Sequence, residues 1–139
     1  MGLVPQLTVA LFCLLACADT FHGCNDTLQE IINDLNVLSS QKTLCSELAV
    51  ADVFAGPKDR AEKLCQAATV LHRTSYLRVE PPCSNGHRES VFLILLKKVY
   101  RNLRSMARPN CPVSELKQTT LKDFLENLKT ILKKKYSEC

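Results

Sequence analysis

Glycine is scarce in this sequence, which has four glycines among 139 residues. It has no glycine-rich loop of the kind that cradles a phosphate. Histidine is also rare, and His22, His72 and His87 have no serine, cysteine or carboxylate partner at a catalytic spacing. The cysteines form no C-x-x-C pair and have no neighbouring pair of histidines, so a zinc site is not indicated. We expect neither an enzyme nor a protein that needs a metal or cofactor.

A long apolar segment occurs once, at the amino terminus. Residues 3–18, LVPQLTVALFCLLACA, are uncharged but too short to span a bilayer, as in a secretory signal peptide. Ala16 to Ala18 offer a small-residue cleavage site, although no Lys or Arg precedes the run. The alternative is a buried amino-terminal helix. We predict a signal peptide over residues 1–23, cleaved between positions 18 and 23, and one domain over residues 24–139. The mature chain is expected to be soluble, secreted and extracellular.

Cysteine is abundant in the remaining domain. Of eight cysteines in the chain, Cys13 and Cys17 lie in the predicted signal peptide, which leaves six. An even number in a small exported chain predicts three disulfides. These cysteines are Cys24, Cys45, Cys65, Cys83, Cys111 and Cys139. Asn25 begins an N-x-T sequon, which predicts glycosylation of this asparagine. The alternative is a sequon that is not modified.

Apolar residues recur at helical spacing in four places. The pattern predicts a first helix over about residues 26–40 and a second from about Asp59 to Arg78. The third apolar stripe runs from Phe92 to Met106, and the fourth covers residues 121–132. Three helix starts have capping signals. They are Asp26 or Thr27 with Glu30, Asp59 with Glu62, and Thr119 or Thr120 with Asp123.

The connections between these helices predict the topology. About 18 residues separate the first and second helices, enough to travel the length of a bundle. Residues 48–54 in this connection, and residues 112–116 before the fourth helix, can each form a short strand. We therefore predict an all-α, up-up-down-down four-helix bundle with two long crossovers and a short β ribbon. In that topology only Cys45–Cys83 is a forced disulfide, and three pairings remain open for the other four cysteines.

The third helix has a basic stripe opposite its core, at about 120° to 180° from Phe92. Its members are Lys97, Arg101, Arg104 and Arg108. Ile94 lies within the stripe, and no acidic residue occurs between Ser90 and Pro112. A solubilising face normally mixes both signs, so these features favour a protein-binding patch for an acidic partner. The first helix similarly places a polar face opposite its core, formed by Glu30, Asn33, Asp34 and Val37.

Lysines at the end of the fourth helix allow two interpretations. Lys133, Lys134 and Lys135 complement the negative end of the helix dipole. The same cluster can bind a polyanion such as heparan sulfate.

Five sequence segments carry a family resemblance. They are TLQEIINDLNVLSSQKTLCSEL, CQAATVL, YRNL, NCPV and TLKDFLENLKTILKKKYSEC. On these segments the chain resembles the interleukin-4/interleukin-13 family of short-chain four-helix cytokines over nearly its full length. The resemblance implies three disulfides, Cys24–Cys139, Cys45–Cys83 and Cys65–Cys111. It also implies a secreted monomer that assembles receptor chains, signals through JAK/STAT, and supports B-cell activation and type 2 helper T-cell responses.

The resemblance also implies two receptor-binding surfaces. For the interleukin-4 receptor alpha chain the implied residues are Glu30, Lys97, Lys98, Arg101, Asn102 and Arg104, with Glu30 and Arg101 as anchors. Arg104 stands where an aromatic residue is expected, and Ile94 where a basic one is expected. For the second chain, either the common gamma chain or the interleukin-13 receptor alpha chain, the implied residues are Ile32, Asn36, Lys133, Tyr136 and Ser137.

Two rival interpretations remain at this stage. An interleukin-13-like or other short-chain cytokine would share the bundle and differ in the order of its receptor chains. A secreted helical protein that binds membranes or glycosaminoglycans is the alternative from a different class, and it would need exposed apolar surface or a basic cluster. Nucleic acid is not an expected partner.

Overall fold

Four α-helices account for most of the residues that the structure describes. The computed structural model describes residues 26–77 and 86–139; the expected signal peptide, the Asn25 sequon, Cys24 and Cys83 lie outside them. The helices are α1, Leu28–Ser40; α2, Arg60–His72; α3, His87–Met106; and α4, Leu121–Ser137. A 3-10 turn, Leu44–Glu47, follows α1, and a π-helical turn, Arg73–Leu77, extends α2. The four-helix prediction is confirmed.

Two of the predicted helix caps are present. The Asp59 carboxylate accepts a hydrogen bond from the Glu62 N–H at 2.7 Å, and the Thr120 hydroxyl accepts one from the Asp123 N–H at 3.2 Å. These bonds satisfy N–H groups that a first helical turn otherwise leaves unpaired. The expected Thr27 cap is wrong, because Thr27 already has helical backbone angles and its side chain makes no capping bond.

Buried apolar side chains from all four helices meet in one core. Phe92 of α3 and Phe124 of α4 are the largest fully buried side chains. Val50 and Val53 from the first crossover close over this core. Leu95 and Met106, which the third stripe assigned to the core, are only partly buried and pack against its edge. Removing a buried phenylalanine ring from such a core costs about 3–5 kcal/mol.

Helix neighbours and strand pairing fit the up-up-down-down arrangement. The main contacts are α1 with α4, α2 with α3, and α1 with α3, and α2 also touches α4. Each crossover contributes a strand, β1 (Ala49–Ala51) and β2 (Gln118–Thr120), and the two pair antiparallel with Val50 opposite Thr119. The two overhand crossovers are therefore joined to each other.

The second strand lies later than expected. Residues 112–116 were predicted to form it, but β2 begins at Gln118. Pro112 has no N–H to donate to a sheet, and its carbonyl instead accepts a hydrogen bond from Gln66 Nε2 of α2 at 2.8 Å. A disulfide joins the preceding residue, Cys111, to Cys65 of α2. The start of this segment is therefore held against α2, and pairing with β1 begins only at Gln118.

The Cys65–Cys111 disulfide is the pairing that the family resemblance implies, and its Cα atoms are 6.1 Å apart. Cys45 and Cys139 are also disulfide-bonded. Their expected partners, Cys83 and Cys24, lie outside the described residues, so those two pairings stay predictions. Within the two described ranges, no helix has the length and apolar character needed to cross a membrane.

Candidate protein-binding surface

The basic stripe of α3 faces outward. Arg101 and Arg104 are exposed on α3, and Lys97 is half-buried. Arg108 is also exposed, but its predicted place in the helical stripe is wrong, because α3 ends at Met106 and Ala107 is extended. Ile94, which lies among these cations, has 64% of its surface exposed. An exposed isoleucine side chain contributes no burial free energy to the fold. A single exposed isoleucine is common on protein surfaces, but the unmixed cations around it create a positive field that favours an acidic protein partner.

Beside this stripe, α1 and α3 are joined by a shared ion pair. Lys98 Nζ lies 3.2 Å from Glu30 Oε1 and 3.4 Å from Asp34 Oδ2. The hydrogen bond to Glu30 raises the pKa of Lys98, and the charge of Asp34 raises it further. We call Glu30, Asp34 and Lys98 the acid–base junction. With two carboxylates and one ammonium it has a formal charge of −1, and Lys98 follows Lys97 of the cationic stripe directly in sequence.

The two acids of the junction differ in accessibility. The Glu30 side chain is 48% exposed, whereas that of Asp34 is 11% exposed. Asp34 was expected on the outward polar face of the first helix, and that placement is wrong. This side of α1 packs against α3, and Lys98 reaches across to cover the carboxylate. Glu30 is therefore far more accessible to a partner than Asp34.

Lys97 points away from Lys98, although the two are adjacent in sequence. Its Nζ lies 5.0 Å from the centre of the Tyr76 ring, close enough for a cation–π contact. Tyr76 packs with His72 and Tyr100, with ring centres 5.2 to 5.7 Å apart. Lys97 thus leans toward α2 while Lys98 leans toward α1.

The aromatic group was not expected from the sequence, which showed only that His72 has no partner at a catalytic spacing. His72 and Tyr76 are four residues apart, so a helix would place their rings next to each other, and the sequence could have indicated this pair. Tyr100 comes from a different helix, and no local pattern connects it to them. Asn102, implied as a supporting contact, is half-buried on α3.

The residues implied for a second receptor chain are distributed over α1 and α4, which pack together. Asn36, Lys133 and Ser137 are exposed, and Tyr136 has 36% of its surface accessible. Ile32 instead belongs to the core, with 9% of its surface accessible. We call Asn36, Lys133, Tyr136 and Ser137 the α1–α4 surface. Ile32 can support this surface from below but offers little area to a partner.

Comparison with known proteins bears on the identity of the family. A family model described as Interleukin 4 matches residues 23–137. The chain belongs to the interleukin-4 family. It is 48% identical to interleukin-4 of Sus scrofa and 48% identical to that of Tursiops truncatus, in both cases over all of each chain. It is 47% identical to interleukin-4 of Canis lupus familiaris over 98% of each chain.

Membership of the interleukin-4 family makes this chain a cytokine rather than an enzyme, as the sequence predicted. The interleukin-4 match also favours that family over the interleukin-13-like alternative. In residues 26–77 and 86–139 of this interleukin-4 family member, no three His, Cys, Asp or Glu side chains gather into a metal-binding group.

Proposed function

We propose that this interleukin-4 family member is a secreted cytokine that assembles two receptor chains in order. The interleukin-4 receptor alpha chain binds first, at the acid–base junction and the basic stripe. The common gamma chain or the interleukin-13 receptor alpha chain then binds at the α1–α4 surface. Bringing the two receptor chains together activates JAK/STAT signalling in lymphocytes, with B-cell activation and type 2 helper T-cell responses as the outcome.

The observation that carries the first contact is the placement of opposite charges on two adjoining helices. Glu30 projects from α1 and remains 48% exposed beside Lys98. Arg101 follows Lys98 by three residues on α3, so it lies on a neighbouring part of the helix surface. A partner suited to this face presents a basic or hydroxyl group to Glu30 and a carboxylate to Arg101. Such charge-assisted hydrogen bonds become strong when the partner excludes water.

Charge also supports the choice of partner. Residues 88–139 contain 12 basic and 5 acidic residues, whereas residues 24–87 contain 6 and 8. The positive field is therefore concentrated on the part of the chain that includes α3 and α4. Such a field accelerates the encounter with an acidic receptor surface, mainly through the association rate.

The first contact can be tested by surface plasmon resonance with the oxidised mature chain and the immobilised alpha-chain ectodomain. Arg101→Ala and Glu30→Ala should each cost about 2 kcal/mol or more, which is about thirtyfold in Kd. Lys122→Ala is the matched control, because Lys122 is an exposed cation on α4 outside both proposed surfaces. Losses below about twofold for both anchor variants would place the alpha chain on a different face.

The second contact predicts an antagonist. Tyr136→Asp introduces a negative charge into the α1–α4 surface and leaves the alpha-chain face unchanged. The variant should bind the alpha chain with wild-type affinity, fail to recruit the second chain, and compete with the wild-type cytokine for cells. Full agonism in a STAT phosphorylation assay would contradict the role of Tyr136.

A further inference from the structure

The start of α2 and the end of α4 are joined by a two-pronged ion pair. Arg60 Nη1 lies 2.7 Å from Glu138 Oε1, and Arg60 Nη2 lies 2.9 Å from Glu138 Oε2. Both bonds form between the planar guanidinium and the planar carboxylate, so the pair fixes orientation as well as distance. The two residues are 78 positions apart in sequence. We call this pair the Arg60–Glu138 fork.

The fork holds a part of α4 that the core does not hold. Leu132 is the last buried residue of α4, and none of residues 133–139 is buried. Tyr136 and Ser137 of the α1–α4 surface lie on this unburied stretch. The last turns of a helix open easily when they have no buried side chains and no other attachment.

Two attachments are available to this stretch among the described residues. Cys139 is disulfide-bonded, which limits how far the end of the chain can move. A single covalent link still permits rotation of the turn that precedes it. The fork restricts that rotation, because Arg60 donates two parallel hydrogen bonds to Glu138, the residue before Cys139.

The charges of the fork depend on each other. Arg60 lies at the positive end of the α2 dipole and Glu138 at the negative end of the α4 dipole, so each is unfavourable for its own helix. The hydrogen bond between them raises the pKa of Arg60 and lowers the pKa of Glu138. If either side chain is removed, the other keeps an unfavourable interaction with its own helix dipole and loses the hydrogen bonds that fixed its position.

We propose that Arg60 is a positioning residue for the second receptor chain: through Glu138 it holds the last turns of α4 in the orientation that presents Tyr136 and Ser137. Arg60 itself lies on α2, outside both proposed receptor surfaces. This inference rests on the proposed function, because it assumes that the α1–α4 surface binds the second chain.

The expected effect follows from the fraction of molecules with an ordered α4 end. If loss of the fork lowers that fraction to between a third and a tenth, the apparent Kd for the second chain rises about three- to tenfold. Affinity for the alpha chain stays unchanged, since its face is on α1 and α3. Thermal stability changes little, because an exposed ion pair contributes little to global unfolding.

The experiment measures binding in two steps. Oxidised mature variants are first titrated onto the immobilised alpha-chain ectodomain, and the common gamma chain ectodomain is then titrated onto each saturated complex. The variants are Arg60→Gln, Glu138→Gln and the swapped pair Arg60→Glu with Glu138→Arg. Arg73→Ala is the matched control, because Arg73 forms a comparably exposed ion pair with Glu115 away from the end of α4. Tyr136→Asp reports whether the α1–α4 surface is used.

We expect Arg60→Gln and Glu138→Gln to weaken only the second step, and the swapped pair to restore it. Unchanged second-step affinity in both single variants, while Tyr136→Asp abolishes recruitment, would overturn the inference and leave the proposed function intact. Failure of the swapped pair to restore binding would mean that Arg60 or Glu138 contacts the receptor directly, which also overturns the positioning role. If Tyr136→Asp recruits normally, the proposed second surface is itself wrong.

Discussion

Replacing Asp34 by Asn tests how the acid–base junction contributes to alpha-chain binding. It distinguishes a direct contact with the receptor from a long-range effect of charge. Glu30 and Asp34 share the ammonium group of Lys98, at 3.2 and 3.4 Å. Glu30 is the more accessible of the two, with a side chain 48% exposed against 11% for Asp34. If receptor binding at the junction works by contact, Glu30→Gln should be costly and Asp34→Asn should not.

The magnitudes can be worked out from this geometry. Glu30→Gln removes a charged anchor, and we expect it to weaken alpha-chain binding by about 2 kcal/mol, or about thirtyfold. Asp34→Asn removes one charge whose side chain is only 11% exposed and covered by Lys98. For a receptor cation about 8 Å away in a water-like dielectric, the lost attraction is about 0.5 kcal/mol, or about twofold. The two variants have the same change in net charge, so each is the control for the other.

The assay is equilibrium binding to the alpha-chain ectodomain at low and high salt. The twofold effect of Asp34→Asn should disappear as salt screens it, whereas most of the Glu30→Gln loss should remain. Equal losses in the two variants would refute the reasoning. That result would mean that both acids act by placing Lys98, and that Lys98 is the group the receptor contacts.

Two further predictions concern α4. A hydrogen bond from Ser39, and then one from Lys129, lower the pKa of Glu126 below its ordinary 4.5. The stability that Glu126 contributes is therefore present above pH 4.5 and is lost as the pH falls through its folded-state pKa. Glu126→Gln should therefore lose less stability than wild type between pH 7 and pH 3 in urea titrations, and an equal loss in both would contradict this. Separately, replacing Lys133, Lys134 and Lys135 by Gln should abolish retention on a heparin column at modest salt, and retention equal to wild type would remove this cluster as the heparan sulfate site.

Local sequence patterns predicted the helices and helix starts, because these depend mainly on interactions between residues close in sequence. The four apolar stripes predicted the helices, and the side chains of Asp59 and Thr120 predicted two helix starts. The strand before α4 was misplaced because residues 112–116 and Gln118–Thr120 have similar extended character. The hydrogen bond from Gln66 to Pro112 and the nearby disulfide decide between them, and both are tertiary contacts.

The surfaces were predicted less completely, for a similar reason. A helical wheel separates core from solvent for a single helix, but it does not show which flank a neighbouring helix covers. This explains the error at Asp34, which α3 covers. The receptor role of Ile32 came from the family resemblance and not from a helical wheel, and it stays a prediction. The divergence of Lys97 and Lys98 depends on acceptors from α1 and rings from α2. The Arg60–Glu138 fork joins residues so far apart in sequence that no spacing pattern could have indicated it.

Ordered assembly of the two receptor chains is tested most directly by the two-step binding experiment with Arg101→Ala and Tyr136→Asp side by side. We predict that Arg101→Ala binds the alpha chain at least about thirtyfold more weakly. Tyr136→Asp should bind the alpha chain normally and then fail to recruit the second chain. If both variants lose the same step, or neither loses any, the protein does not use two separate surfaces in the proposed order.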